Sequence, residues 1–291
     1  MSDTPDILDA AIGALHAARA TNSGRWAPAV EALAQADVVW CSGIGKSGLV
    51  ARKLAGTLAS LGRRALFLHP VEALHGDGGA VRHSDALVAV SQSGHTPELL
   101  RLVGALELPV VALTRTDTPL AALSRAVIDT SVPFEAGGAL PATAFTVAVT
   151  LADMLAFQLG GEVRHPGGYI GAMSRPVRDY MIPAPLVPRD ALVIDLITRL
   201  GSGAVLLEGG GIFTDGDLRR AVGRSPAALQ QCVAELCTAS PVTVEAHEPA
   251  RVALERMERR DSQISVLPVV ENGRYVGLVR LHDLVRAGLG L

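Results

Sequence analysis

Along the first half of the chain, short runs of β-branched and aliphatic residues alternate with stretches whose apolar positions recur every three to four residues. This spacing predicts a helix over 7–20 and a second one ending near residue 36. Strands are then expected at 38–41, 65–68, 86–90, 110–113 and 127–132, with helices over 47–61, 97–107 and 143–159. The strands are apolar almost throughout instead of alternating in character. That is the pattern of a parallel sheet covered on both faces, so the expected fold class is α/β with a doubly wound parallel sheet. Such sheets bind ligands beyond the carboxyl ends of their strands.

The pattern changes after His165-Pro-Gly-Gly168. Pro176, Pro183, Pro185 and Pro188 punctuate the chain, and a weak internal repeat follows. Gly211-Ile-Phe-Thr-Asp-Gly-Asp217-Leu-Arg is echoed by Gly277-Leu-Val-Arg-Leu-His-Asp283-Leu-Val. Each copy places a glycine before a short strand and an aspartate at the start of a helix. Two such units are expected to pack on each other, since neither buries its own apolar face. The sequence therefore divides into a larger domain, 1–175, and a smaller α+β domain, 176–291.

Composition narrows the function. With 49% apolar residues in 291, the chain can bury a sizeable core. Its net charge of −3, with no basic run, argues against nucleic acid and against an anionic membrane surface. The N-terminus lacks the basic-then-apolar order of a leader, and no apolar stretch reaches the ~18 residues of a spanning helix. Three cysteines, Cys41, Cys232 and Cys237, are expected as reduced thiols of a cytoplasmic protein. Cys232 and Cys237 are better explained by packing than as half of a metal site.

Candidate chemistry gathers in a few motifs. Cys41-Ser-Gly43-Ile-Gly45-Lys46-Ser47-Gly48 links a strand to a helix, where glycines and free N–H groups suit an anion. The spacing matches a dinucleotide fingerprint, but 63–69 offers no acidic residue for a ribose, which weakens a nicotinamide-dependent oxidoreductase. A Walker-type phosphate loop fails as well, because Trp40 stands where its first glycine belongs. Ser91-Gln-Ser93-Gly94-His95-Thr96-Pro-Glu98 puts three hydroxyls and a glycine at another helix start, a neutral cradle suited to a phosphate monoester. His69-Pro-Val-Glu72-Ala-Leu-His75-Gly-Asp77 concentrates ionisable groups in one loop. Glu135 and His165, each read alone, are a surface acid and a structural histidine.

In this combination and order the motifs resemble the arabinose-5-phosphate isomerase family, a sugar isomerase (SIS) domain followed by a tandem CBS pair. Gly43-Ile-Gly-Lys46-Ser-Gly48, His69-Pro-Val-Glu-Ala-Leu-His75-Gly-Asp77, Ser91-Gln-Ser-Gly94, His165-Pro-Gly-Gly168 and Gly211-Ile-Phe-Thr-Asp-Gly-Asp-Leu-Arg-Arg220 carry the likeness. The resemblance implies interconversion of ribulose 5-phosphate and arabinose 5-phosphate through an enediol, feeding 3-deoxy-octulosonate and lipopolysaccharide synthesis. It implies catalytic roles for Lys46, Glu98, Glu135 and His165. Ser47, His75, Ser91, Ser93, Thr96 and Thr143 are implied substrate contacts, and His69 a position for an inhibitory divalent metal; no cofactor is required. A cytoplasmic homotetramer is implied too, and a nucleotide effector on Thr214, Asp217 and Asp283.

This chain departs from the family's pattern in places. Pro141-Ala-Thr143-Ala-Phe145 stands where a hydroxyl-rich Pro-Thr-Ser-Ser-Thr is usual, His95 replaces an acidic or small residue, and Arg280 occupies the hydroxyl position of the second repeat. The connection from Leu159 to His165 is also short. Two other readings follow: an isomerase of a different sugar phosphate, or a phosphosugar-binding sensor without catalysis.

Overall fold

The computed structural model describes residues 6–165, 167–258 and 263–290. The segment 1–5, expected to lack a leader pattern, and Pro166 of the His165 motif lie outside the described residues. The chain forms two compact units, Met1–Arg164 and His165–Leu291, dividing earlier than residue 175.

In the first unit, α1 (Ile7–Thr21) and α2 (Trp26–Ala34) lead into β1 (Val39–Ser42), α3 (Lys46–Ser60), β2 (Ala65–Phe67), α4 (Pro70–Leu74) and β3 (Ala86–Val90). Then come α5 (Pro97–Leu106), β4 (Val110–Thr114), α6 (Pro119–Ala122), β5 (Ala126–Asp129) and α7 (Thr143–Leu159). The five strands are parallel, in the order β2-β1-β3-β4-β5. Side-chain alternation assigns each strand residue to one face. Val39, Cys41, Val88, Val90, Val111, Leu113 and Ile128 join the core with α3 and α7, including Leu54, Leu58, Leu151 and Leu155. Val38, Trp40, Leu87, Ala89, Val110 and Ala112 join Leu99 and Leu102 of α5 on the other face. Both faces are thus dry, as the unbroken apolar strands predict.

The last strand is shorter than the expected 127–132. Asp129 ends it: its carboxylate accepts from the Ser131 N–H at 2.9 Å, turning the chain out of the sheet. Asn22, fully buried after α1, exchanges hydrogen bonds with the Asp129 backbone in both directions and ties the first helix to this edge.

The strand order fixes where a ligand can enter. From β1 the chain steps outward to β2 and then crosses back to β3 on the far side of β1, aligned Cys41 to Val88 and Ser42 to Ala89. The connections leave in opposite directions, so a crevice opens above the carboxyl ends of β1 and β3.

The second unit begins with α8 (Gly168–Ser174) and contains two β-α-β-β-α modules. The first has β6 (Leu186–Val187), α9 (Val193–Leu196), β7 (Ala204–Leu207), β8 (Ile212–Thr214) and α10 (Asp215–Arg224), followed by a short α11 (Val233–Leu236). The second has β9 (Val244–Glu245), α12 (Ala250–Glu258), β10 (Val266–Glu271), β11 (Arg274–Arg280) and α13 (Leu281–Arg286). In both, the first strand is parallel and the third antiparallel to the middle one. Ala204, Leu206 and Ile212 of one sheet pack with Val266 and Leu278 of the other. That shared core is what the weak repeat predicts. The first module is the abbreviated one: α9 has a single turn and continues as a 3-10 segment, Ile197–Ser202.

Candidate functional site

Two loops meet at the crevice of the first unit. After β1, the Ser42 hydroxyl donates to the Leu68 carbonyl at 2.7 Å and anchors the turn. A Cβ on Gly43 would lie 2.9 Å from backbone atoms of Ser47 and Val90, so only glycine admits this close approach. Gly45, at φ +60°, caps α3 without a side chain. The helix opens directly on exposed Lys46 and half-buried Ser47, leaving its first N–H groups unpaired with any capping side chain.

After β3, the buried Ser91 hydroxyl lies 2.9 Å from that of Thr96 and accepts from the Gly94 N–H at 3.1 Å. Gly94, at φ +65°, presses on Thr118, which a Cβ would meet at 2.3 Å. Its carbonyl accepts from the Leu120 N–H at 3.2 Å, so the loop is braced from the next strand connection. Ser93 is exposed, and its carbonyl accepts from His95 Nδ1 at 2.6 Å, turning that imidazole back onto the loop. Pro97 then starts α5 with a residue that needs no N–H partner.

Ser47, Ser91, Ser93 and Thr96 share one open cavity of about 690 Å³, with Gln92 and Arg115. A smaller recess of about 40 Å³ is lined by Lys46, Gln92, Thr130, Pro141 and Phe145. Ser47, Gln92 and Pro141 border both. Gln92 donates from Nε2 to the Thr130 carbonyl at 2.9 Å, while its Oε1 and the Thr130 hydroxyl are buried without a partner among the described residues. Orphaned groups of this kind cost stability unless a water or a ligand hydroxyl satisfies them. Lys46, Ser47, Ser91, Ser93 and Thr96 therefore border two adjoining cavities. Arg115, Gln92 and Thr130 were missed. Gln92 sits inside a motif already singled out, and Arg115 follows β4, where the rule about strand ends points.

The other expected residues stand differently. Glu98 is half-buried in the first turn of α5, and its side chain makes no hydrogen bond or ion pair among the described residues. Glu135 is fully occupied. Its Oε1 accepts from the N–H groups of Gly137, Ala142 and Thr143 at 3.3, 2.8 and 2.8 Å, and Oε2 from that of Ala144 at 3.0 Å. Partial burial works against its charge, but these four donors outweigh it and hold the carboxyl below its ordinary range. Glu135 is thus the anionic cap of α7. Thr143, expected as a substrate contact, is fully buried with its hydroxyl accepting from the Ala136 N–H at 3.1 Å; it stands behind the cavity wall, holding the same loop. Pro141 and Phe145 provide the wall itself.

His69 caps α4 and His75 follows it, exposed. His69 Nδ1 is buried without a hydrogen-bond partner among the described residues, and its ring lies 6.3 Å from that of Phe67. No group of three or more His, Cys, Asp or Glu side chains that could hold a metal exists among the described residues. The implied metal finds one donor here and no set. His165 belongs to the second unit, at its first residue. The three cysteines are free thiols, and burial pushes that of Cys41 far up. No helix of the described residues is long and apolar enough to cross a membrane.

In the second unit the Thr214 hydroxyl accepts from the Asp217 N–H at 3.2 Å and the Thr214 N–H donates back to Asp217 Oδ2 at 2.9 Å, a closed capping box that Arg220 also joins through its ion pair with Asp217. Arg280 replaces the hydroxyl in the second module by pairing with Asp283 through two bonds, 2.6 and 2.9 Å. The guanidinium holds the Asp283 carboxyl below its ordinary range. None of Thr214, Asp217 and Asp283 lines the cleft of about 780 Å³ in this unit that is bordered by Glu208, Gly209, Thr243, Arg274 and Tyr275.

A doubly wound sheet with hydroxyl-bearing loops at its switch point, followed by paired β-α-β-β-α modules, defines a SIS-type sugar-phosphate domain with CBS modules. The SIS domain model matches residues 32–158, and the CBS domain model matches 233–290. Arabinose 5-phosphate isomerase KdsD of Pseudomonas aeruginosa is 39% identical over 85% of this chain and 84% of its own. KdsD of Francisella tularensis is 32% identical over 85% and 84%. A solved structure, E. coli CFT073 c3406 in complex with A5P, is 31% identical and covers 53% of this chain and 85% of that one, with a TM-score of 0.49. The chain belongs to the arabinose 5-phosphate isomerase family.

Proposed function

We propose that this chain is an aldose–ketose isomerase that interconverts ribulose 5-phosphate and arabinose 5-phosphate. The observation that carries this reading is the convergence of Ser47, Ser91, Ser93 and Thr96 on one cavity, with Lys46 in the recess beside it. Hydroxyls and uncapped helix N–H groups suit a phosphate monoester, which fixes one end of the sugar. The reaction then moves a proton between C1 and C2, the carbonyl carbon and the hydroxyl-bearing carbon beside it, through an enediol. Lys46 stabilises the oxyanion that develops as the carbon acid loses its proton. Glu98 is the carboxylate with oxygens left to accept and return that proton, whereas both oxygens of Glu135 are committed to α7. His165 is assigned a part in the same proton transfers by its motif, and His75 a contact with the sugar.

The wider setting proposed with it is a cytoplasmic homotetramer supplying arabinose 5-phosphate for 3-deoxy-octulosonate and lipopolysaccharide synthesis, with no required cofactor and His69 as the position for an inhibitory divalent metal. In the CBS modules, a nucleotide effector at Thr214, Asp217 or Asp283 would use the acceptor positions that the two carboxylates keep beside their existing pairs. One observation favours a second reading, a phosphosugar sensor or an isomerase of another sugar phosphate: Pro141 and Phe145 make the recess wall apolar.

The deciding experiment incubates the pure full-length protein with ribulose 5-phosphate and follows arabinose 5-phosphate. Turnover is expected; its absence, with retained binding of the sugar phosphate, overturns this reading in favour of the sensor or of an isomerase of another sugar phosphate.

A further inference from the structure

We propose that Arg115 is the cation that neutralises the phosphate group in the cradle, a specificity-determining role for a residue outside the family motifs. The inference rests on the phosphosugar reading above. The cradle is built from neutral donors: Ser47, Ser91, Ser93 and Thr96 offer hydroxyls and the helix starts offer N–H groups. A phosphate monoester brings a charge of about −1.5 to −2 at neutral pH, which neutral donors solvate but do not cancel. Among the described residues bordering the cavity, Arg115 is the one with a charged side chain. Lys46 borders the recess instead. The two cations thus divide between the two ends of a bound sugar phosphate, Arg115 for the phosphate and Lys46 for the reacting oxygen.

Its position is set by the fold. Arg115 follows directly on β4, the neighbour of β3, so it emerges at the same sheet edge as the 91–96 loop. Its carbonyl accepts from the Thr118 hydroxyl at 2.9 Å, and Thr118 is the residue against which Gly94 packs. Leu120, two residues on, donates to the Gly94 carbonyl. The backbone of 115–118 is therefore braced against the hydroxyl loop at two points. The guanidinium is kept in reserve: it pairs with Asp117 at 3.2 Å, with both side chains more than half exposed. A surface pair of this kind is weak, and a phosphate, which accepts two parallel N–H bonds from arginine, displaces the carboxylate readily. Arg115 also meets the shortage of hydroxyls at 141–145, where proline, alanine and phenylalanine line the wall.

The test compares wild type with Arg115→Met, Arg115→Lys and, as a control of equal charge change, Arg125→Met. Arg125 pairs with Glu31 on the exposed surface and borders neither cavity. Two quantities are measured on the full-length protein: KM for ribulose 5-phosphate, and the dissociation constant of inorganic phosphate by calorimetry. Arg115→Met is expected to weaken both by about ten- to a hundredfold, with a much smaller fall in kcat. Arg115→Lys is expected to recover part of the loss, and Arg125→Met to match wild type. Unchanged thermal unfolding without ligand separates the effect from misfolding. Inorganic phosphate binding to Arg115→Met within about twofold of wild type overturns the proposal, even if isomerisation proceeds. Arg115-dependent phosphate binding in a wild type that isomerises no pentose phosphate supports the proposal and sinks the isomerase reading alone.

Discussion

Helix starts in the two units use the same chemistry to opposite ends. In the first unit α3 and α5 begin at Gly45 and Thr96 with no side chain bonded to their first N–H groups. The Thr96 hydroxyl turns instead to Ser91 and borders the cavity. In the second unit α10 begins at Thr214 with both halves of a capping box made. A helix start whose donors are already used is architecture. One whose donors face a cavity is available to an anion, at a cost in local stability that a ligand offsets. Glu135 shows that the first unit can close a helix when it needs to, since the start of α7 sends three N–H bonds, from Ala142, Thr143 and Ala144, to one carboxylate.

Several substitutions sharpen or break this contrast. The largest effect is expected at Glu98, whose oxygens are not spent on capping. Glu98→Gln should lower kcat by about a hundredfold or more, as loss of a general base does, and steady-state kinetics decides it. Activity near wild type removes Glu98 from the proton path. Next come the paired threonines. Thr96→Ala should raise KM by about tenfold with little change in melting temperature, through loss of one bond to a charged group. Thr214→Ala should leave KM alone and cost about 1 kcal/mol of stability by denaturant unfolding, the usual value of a lost cap. If the two exchange phenotypes, the distinction between open and closed helix starts is wrong.

The smallest effect concerns pH. The Glu135 carboxyl is held below its ordinary range in the folded chain, so it binds its proton more weakly there than in the unfolded chain. Its contribution is therefore fully present above the unfolded value of about 4.3 and is lost as pH falls through the lower folded value. Glu135→Gln should flatten that part of the stability–pH curve and cost about 1 kcal/mol at neutral pH. An unaltered curve argues that the four N–H bonds contribute nothing through charge.

Much of the fold was legible in the chain because a parallel sheet covered on both faces leaves a local mark: Val39-Trp-Cys-Ser and Ala86-Leu-Val-Ala-Val are buried at every position, and a glycine, Gly62 or Gly76, stands just past the end of each helix between them. The strand over 127–132 was overextended because what ends it is a side-chain bond from Asp129, invisible to periodicity. The compact units divide at Arg164 and His165, ahead of the prolines, because prolines mark loops without saying which unit a short helix such as α8 joins. At the site, the two glycine and hydroxyl motifs were readable because each is contiguous and its chemistry is local.

The sequence by itself determined the elements, the parallel sheet, the repeated modules and the family, together with the four hydroxyl residues of the cradle that lie in two short motifs. Only the tertiary structure decided which polar groups remain available. Glu98, Glu135 and Thr143 all read as candidate site residues along the chain. Packing leaves the Glu98 side chain without a hydrogen-bond or ion-pair partner among the described residues, commits Glu135 to the start of α7 and buries Thr143 behind the wall. Arg115 joined the cradle for the converse reason: nothing local marks it, and it reaches the cavity because β4 lies beside β3. Which donors and acceptors are spent on the fold depends on contacts between residues far apart in sequence, and the order of residues along the chain does not encode those contacts locally.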